Sequence, residues 1–207
     1  MDKIKPNKSD PLFDFSSDCL KNAPGILYDQ LADLLKSFLV HSHVPNSLLT
    51  ATLVPIVKDK LGDLGTSKNY RSIAISSLLL KLIDWVVMIL YGDLLKANDL
   101  QFGFQQCSST SLCSWMVLET IDNYLRNGSS VYGCLLDCSK AFDTVRHSKL
   151  FSKLSDAKVP PIIIRLLICI YRRQLAKVRW KDTESREFPI RNGVRCSYLS
   201  TIFQFLH

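Results

Sequence analysis

The chain has 207 residues, 47% of them hydrophobic and 22% charged. That is enough apolar side chain for one large domain or two modest ones, and too much for a disordered polypeptide. The net charge of +7 is unevenly held: residues 1–130 carry 12 Lys and Arg against 13 Asp and Glu, whereas residues 131–207 carry 14 against 6. A basic excess confined to one part suits a polyanionic partner, nucleic acid first, or simply a solvated basic face.

Taken in chain order, residues 1 to about 23 read as a loose leader without hydrophobic period, and "MDKIKPNKSD" lacks the apolar centre of a secretory signal. After Pro24-Gly25, Leu27, Leu31, Leu34, Leu35, Phe38 and Leu39 recur at helical spacing, and Pro45 ends that helix. "LLTATLVPIV" and "YRSIAIS" read as strands joined by the polar, glycine-containing loop "KDKLGDLGTSKN". From Ser77 to about Lys96 a helix shows only a narrow polar stripe of Ser77, Lys81 and Asp84. Those charges break its longest apolar run, which predicts a buried helix rather than a membrane span.

"QFGFQQCSST" reads as a loop in which Ser109 or Thr110 can cap the helix bearing Leu112, Trp115, Leu118 and Leu125. "RNGSS" is a turn, and "VYGCLLD" is predicted to be a strand buried on both faces. Two helices follow, "HSKLFSKLSDA" and "PPIIIRLLICIYRRQ", the second opened by Pro161. The hairpin "LAKVRW…KDTES…REFPI" comes next, and "NGVRCS" leads into a last helix bearing Leu199, Ile202, Phe203 and Leu206. Seven cysteines without a C-x-x-C pair argue for reduced thiols, no disulfides and an intracellular setting.

The chemistry starts at Asp137, the end of an apolar run. A carboxylate closing a buried strand needs a cation or hydrogen-bond donors, so Asp137 reads either as a ligand for a hard ion such as Mg²⁺ or as an ordinary turn cap. Phe142, five residues on, could wall a nucleotide sugar or sit in the core. Lys58, Lys60, Lys68 and Arg71 cluster on and after the glycine-containing loop, where they could fold over a triphosphate or merely solvate a hairpin tip. Arg172, Arg173, Lys177, Arg179 and Lys181 alternate with Tyr171 and Trp180, a pattern fit for a groove that tracks a nucleic-acid strand. The sequence contains no G-x-S-x-G, H-E-x-x-H or phosphate-binding G-x-x-x-x-G-K. His41 and His43 have no third ligand, so that pair reads as structural.

In order, "LVPIVKDKLGD…SKNYRSIAI", "QFGFQQCSSTSLCSW", "LLDCSKAFDTVRHSKLF" and "RNGVRCSYLS" resemble the reverse transcriptases of non-long-terminal-repeat, LINE-type retrotransposons. The resemblance runs from about residue 25 to the end. It implies an α+β fold, a right-hand polymerase with fingers over residues 24–130 and a ferredoxin-like palm begun at residue 131. It implies two-metal nucleotidyl transfer with Mg²⁺, an RNA template, a DNA primer and deoxynucleoside triphosphates. Carried over by position, Asp137 is a catalytic metal ligand with the Cys138 backbone carbonyl beside it. Phe142 screens the sugar 2′-position, and Lys58 and Arg71 hold the incoming triphosphate.

The departures are chemical. Cys196 stands where the family has glutamine, Ser197 where it has glycine, Thr201 where it has proline, and Ser72 where many members have proline. A thiol does not supply an amide's donor and acceptor. The aromatic-x-Asp-Asp hairpin that completes the family's metal site is expected past His207, and one carboxylate does not hold two ions. The resemblance therefore implies a truncated domain inactive by itself, with an unpaired strand edge that favours association. The alternative is a decayed, non-catalytic copy with residual RNA or DNA affinity.

Overall fold

The computed structural model describes residues 7–11, 13, 15–95, 100–103, 108–137 and 141–193. Its architecture is α+β, as the sequence predicts. Six helices are described: α1 (Ser17–Lys21), α2 (Gly25–His41), α3 (Leu78–Tyr91), α4 (Thr110–Arg126), α5 (His147–Asp156) and α6 (Pro161–Arg173). Five strands accompany them: β1 (Thr50–Val57), β2 (Tyr70–Ile75), β3 (Leu175–Trp180), β4 (Thr183–Glu184) and β5 (Phe188–Pro189). The sheet runs β2-β1-β3-β4, with β5 also on β3. β1 is antiparallel to β2 and parallel to β3, so the connection between β1 and β3 must carry helices.

α6 shows why the helices form where they do. Pro161 sits at its first position, where a missing N–H costs nothing and the fixed φ suits the helix. Ile163, Leu166, Leu167, Ile170 and Tyr171 then recur at three- and four-residue spacing and are all buried. One edge of this stripe joins Val145, Leu150, Leu154, Val159, Val87 and Leu95 in a cluster that also takes in α3 and α5. The other edge, Leu166 and Ile170, packs with Phe38 of α2, with Leu48 and Leu49, and with Leu80 and Ile83 of α3. Each such side chain contributes about 1.5–3 kcal/mol on full burial, so α6 is the hub.

Three expectations change. The segment read as a loose leader is built in from Asn7 onward, where α1 follows a bridge between Ser9 and Ser16. Asp10 is buried, accepting from the Leu78 backbone N–H at 2.6 Å and from the Ser77 hydroxyl at 3.1 Å, so it caps α3 from a distance. Short polar residues read as "no period" because their work is capping, which leaves no hydrophobic signature.

The second change concerns α3. Its polar stripe turns inward at Asp84, which is buried, while Ile89 and Leu90 at the other end are exposed. The third is "VYGCLLD". Residues 131–137 form no strand, and Leu135 and Leu136 are 102% and 92% exposed. A strand exists only where a neighbour takes its N–H and C=O groups, and no described strand lies beside this segment. α4 likewise buries none of its residues, although Ser109 caps it as predicted by accepting from the Leu112 N–H at 3.1 Å. The helix predicted around residues 199–206 lies outside the described residues.

Among the described residues no helix is long and apolar enough to cross a membrane. Cys19, Cys113, Cys134 and Cys169 are free thiols.

Candidate functional site

The β1–β2 hairpin positions the first pair of site residues. Its register sets Ile56 opposite Arg71 and Val54 opposite Ile73. Side chains two apart on a strand share a face, so Lys58, Ile56 and Val54 lie on the same side as Arg71 and Ile73. The predicted pair, Lys58 and Arg71, is thus brought to one face, both side chains exposed. The loop between them is braced from within. Asn69 receives the Asp59 N–H and donates to the Asp59 and Asp63 carbonyls, and the Tyr70 hydroxyl donates to Leu64 O at 2.8 Å. The Thr66 hydroxyl, then the Gly65 N–H, hold the Asp63 carboxyl below the usual carboxylate range. Lys58 Nζ donates to Lys68 O at 3.0 Å, which draws the ammonium toward the loop mouth.

Asp137 ends an exposed, unpaired segment rather than a buried strand. Cys138 lies outside the described residues, as does Lys140. No group of three or more His, Cys, Asp or Glu side chains among the described residues could hold a metal ion. Asp137 offers the hard carboxylate oxygen that a divalent ion takes, but among the described residues it belongs to no ready-made metal cluster. Phe142 follows on a turn over residues 141–144, in which the Thr144 hydroxyl donates to Ala141 O at 3.2 Å.

The basic set at the end of α6 and along β3 is divided by the fold. Arg173 turns inward: its guanidinium donates to Val44 O at 3.1 Å and to Asn46 Oδ1, and meets His43 Nδ1 at 3.2 Å. His43 is accordingly structural, as its lone spacing predicts. Lys177 and Arg179 project beside Glu184 across the β3–β4 turn, at 2.5 and 2.8 Å. These two cations, through hydrogen bonds, hold the Glu184 carboxyl below its usual range. Arg172 and Lys181 stay exposed, Lys181 at a turn position with φ of +52°. Trp180 packs edge-to-face on Tyr70, ring centroids 5.3 Å apart, and so ties the basic hairpin to the strand carrying Arg71.

One arrangement was not legible in the sequence. The turn at Arg191–Gly193 lies against residues 142–147. The Gly193 N–H donates to Val145 O, and His147 Nε2 meets Gly193 O, both at 2.9 Å. A carbonyl only accepts, so Nε2 carries the proton. The His147 ring stands edge-on to the buried Tyr171 at 4.8 Å. Gly193 has φ of +90°, and a Cβ there would lie 2.9 Å from Phe142 O and 3.1 Å from Asp143 Cα. The Asn192-Gly193 dipeptide announces a turn, but nothing local says which segment it packs on. A polar pocket of about 550 Å³ opens beside this contact, between Arg146 and Ser148 on one side and Arg191 and Asn192 on the other.

Comparison with known proteins follows the same residues. The model of the family described as reverse transcriptase (RNA-dependent DNA polymerase) matches residues 57–197, more than half of the chain. Over 115 residues, 54% of this chain, the sequence is 31% identical to the retrovirus-related Pol polyprotein from type-1 retrotransposable element R2 of Popillia japonica. The matched stretch covers 16% of that polyprotein, so the chain spans well under a quarter of its relative's length. The match begins at Val57, at the end of the strand that leads to Lys58, and takes in Arg71, Asp137, Phe142 and the turn at Gly193. The chain belongs to the reverse transcriptase family, as a reverse transcriptase domain of the non-long-terminal-repeat, LINE type.

Proposed function

We propose that this chain supplies the nucleotide-holding fingers and the first part of the palm of an RNA-directed DNA polymerase. The β1–β2 hairpin takes the triphosphate of an incoming deoxynucleotide, and the basic half follows an RNA template paired to a DNA primer. The observation that carries the reading is the register opposing Ile56 and Arg71, which puts Lys58 and Arg71 on one exposed face. Arg71 offers a bidentate fork to phosphate oxygens and Lys58 a point charge, the two complementary ways of holding a polyphosphate. Phe142 is assigned to the sugar. Asp137 and the Cys138 carbonyl are assigned to a divalent metal, Mg²⁺ in this reading, in a palm with further carboxylates. Such an ion would supply charge stabilisation at the transferred phosphoryl group.

The test is binding of a deoxynucleoside triphosphate to the chain and to its Lys58→Ala and Arg71→Ala variants. Loss of one charge-assisted contact is expected to weaken binding about tenfold or more for each variant. Equal affinity in all three proteins overturns the assignment.

A second reading draws on residues 131–137, whose exposure sets Asp137 at the surface rather than at the end of a buried strand. In that reading the chain binds nucleic acid and performs no chemistry. Primer extension on an RNA template separates the two. Incorporation abolished by Asp137→Asn supports the polymerase, and salt-sensitive hybrid binding without incorporation supports the binding-only form.

A further inference from the structure

We propose that His147 and Gly193 clamp the turn carrying Phe142 and thereby set how strictly the nucleotide site tells deoxyribose from ribose. The inference rests on the assignment of Phe142 to the sugar and adds two positioning residues that touch no substrate.

Phe142 lies on a four-residue turn between residues 138–140, outside the described set, and the start of α5. The Gly193 peptide is bonded to Val145 and His147, the residues through which that turn enters α5. Its N–H goes to Val145 O and its C=O accepts from His147 Nε2, both at 2.9 Å. These two bonds use both polar groups of one residue to span three residues of the gate segment. His147 is itself braced, edge-on to Tyr171 at 4.8 Å, and Tyr171 belongs to the buried stripe of α6. The gate turn is thus referred to the hub of the core through this imidazole as well as through Val145, which is buried in the same cluster as Tyr171, and Ala141, which packs on it. Phe142 O and Asp143 meanwhile come so near Gly193 that a single methyl there would collide with their backbone.

An aromatic ring screening a 2′-hydroxyl discriminates by sub-ångström contact, so a turn free to shift loses selectivity before it loses binding. The clamp therefore acts on the ratio of deoxy- to ribonucleotide affinity more than on the triphosphate contacts made by Lys58 and Arg71.

The experiment measures binding of dGTP and GTP to the 207-residue chain, to His147→Ala, His147→Gln and Gly193→Ala, and to Phe142→Ala as the reference for a lost gate. Hydrogen exchange of residues 141–146 and 191–193 is followed in parallel. His147→Ala is expected to lower the dGTP:GTP affinity ratio about fivefold, the effect of one hydrogen bond, and to speed exchange in those two segments. His147→Gln, whose amide can donate from nearly the same place, is expected to restore both. Gly193→Ala is expected to lower the ratio further.

If Phe142→Ala lowers the ratio while the His147 variants leave it unchanged, the clamp is overturned and the gate stands. If Phe142→Ala has no effect, or the chain binds neither nucleotide, the sugar assignment fails and the clamp's role in selectivity falls with it. Unchanged exchange in His147→Ala overturns the clamp itself, whatever the nucleotides do.

Discussion

Arg172 and Arg173 stand side by side at the end of α6, and their environments set them to different tasks. The Arg173 guanidinium is spent on Val44 O, Asn46 and His43, at the loop that delivers β1. Arg173→Ala is expected to cost about 1–3 kcal/mol in urea unfolding, because the buried Val44 carbonyl loses a charged donor. Arg172→Ala is expected to leave that midpoint in place and to weaken RNA–DNA hybrid binding instead. Glu184 offers a pH test at the same scale. Its folded pKa is depressed, so its contribution to the β3–β4 turn is complete above the ordinary carboxylate value and is lost as pH falls through the lowered one. Acid below about pH 4 is expected to loosen that hairpin in hydrogen exchange, and Glu184→Gln to remove the pH dependence. The sequence marked all five basic residues alike, since composition records charge and not the carbonyl or carboxylate that folding places beside it.

At the scale of elements, legibility followed the hydrophobic period. The stripe of α6 was readable because burial selects three- and four-residue spacing, and Leu166→Ala is expected to cost about 2–5 kcal/mol in denaturant unfolding. The β1–β2 hairpin was equally readable from two apolar runs around a loop of Gly, Asp and Asn. Residues 131–137 show where period fails. Their apolar run predicts a strand, but pairing depends on a second strand that no local pattern contains. Leu135 and Leu136 stand exposed, and α4 buries none of its apolar side chains. This surface is expected to drive self-association, seen as concentration-dependent light scattering. The pair Leu135→Lys and Leu136→Lys is expected to reduce it. A monodisperse chain at every concentration contradicts that expectation.

For the whole molecule, charge and topology bear on one partner. The basic excess after residue 130 lies on the part of the chain that follows the hairpin, and β3 joins the two by pairing with β1. Binding of an RNA–DNA hybrid is therefore expected to weaken steeply with salt. The family was legible from four ordered motifs, whereas the contact of Gly193 with the Phe142 turn was not, because 46 residues separate Gly193 from His147. The proposed role of the β1–β2 hairpin is to hold the triphosphate. Its most direct test is a dGTP carrying an amine-reactive group on its γ-phosphate, with the labelled lysines mapped by mass spectrometry. Label is expected on Lys58 or its loop neighbours Lys60 and Lys68, competed away by unmodified dGTP. Label confined to Lys177 and Lys181, or untouched by competitor, would contradict it.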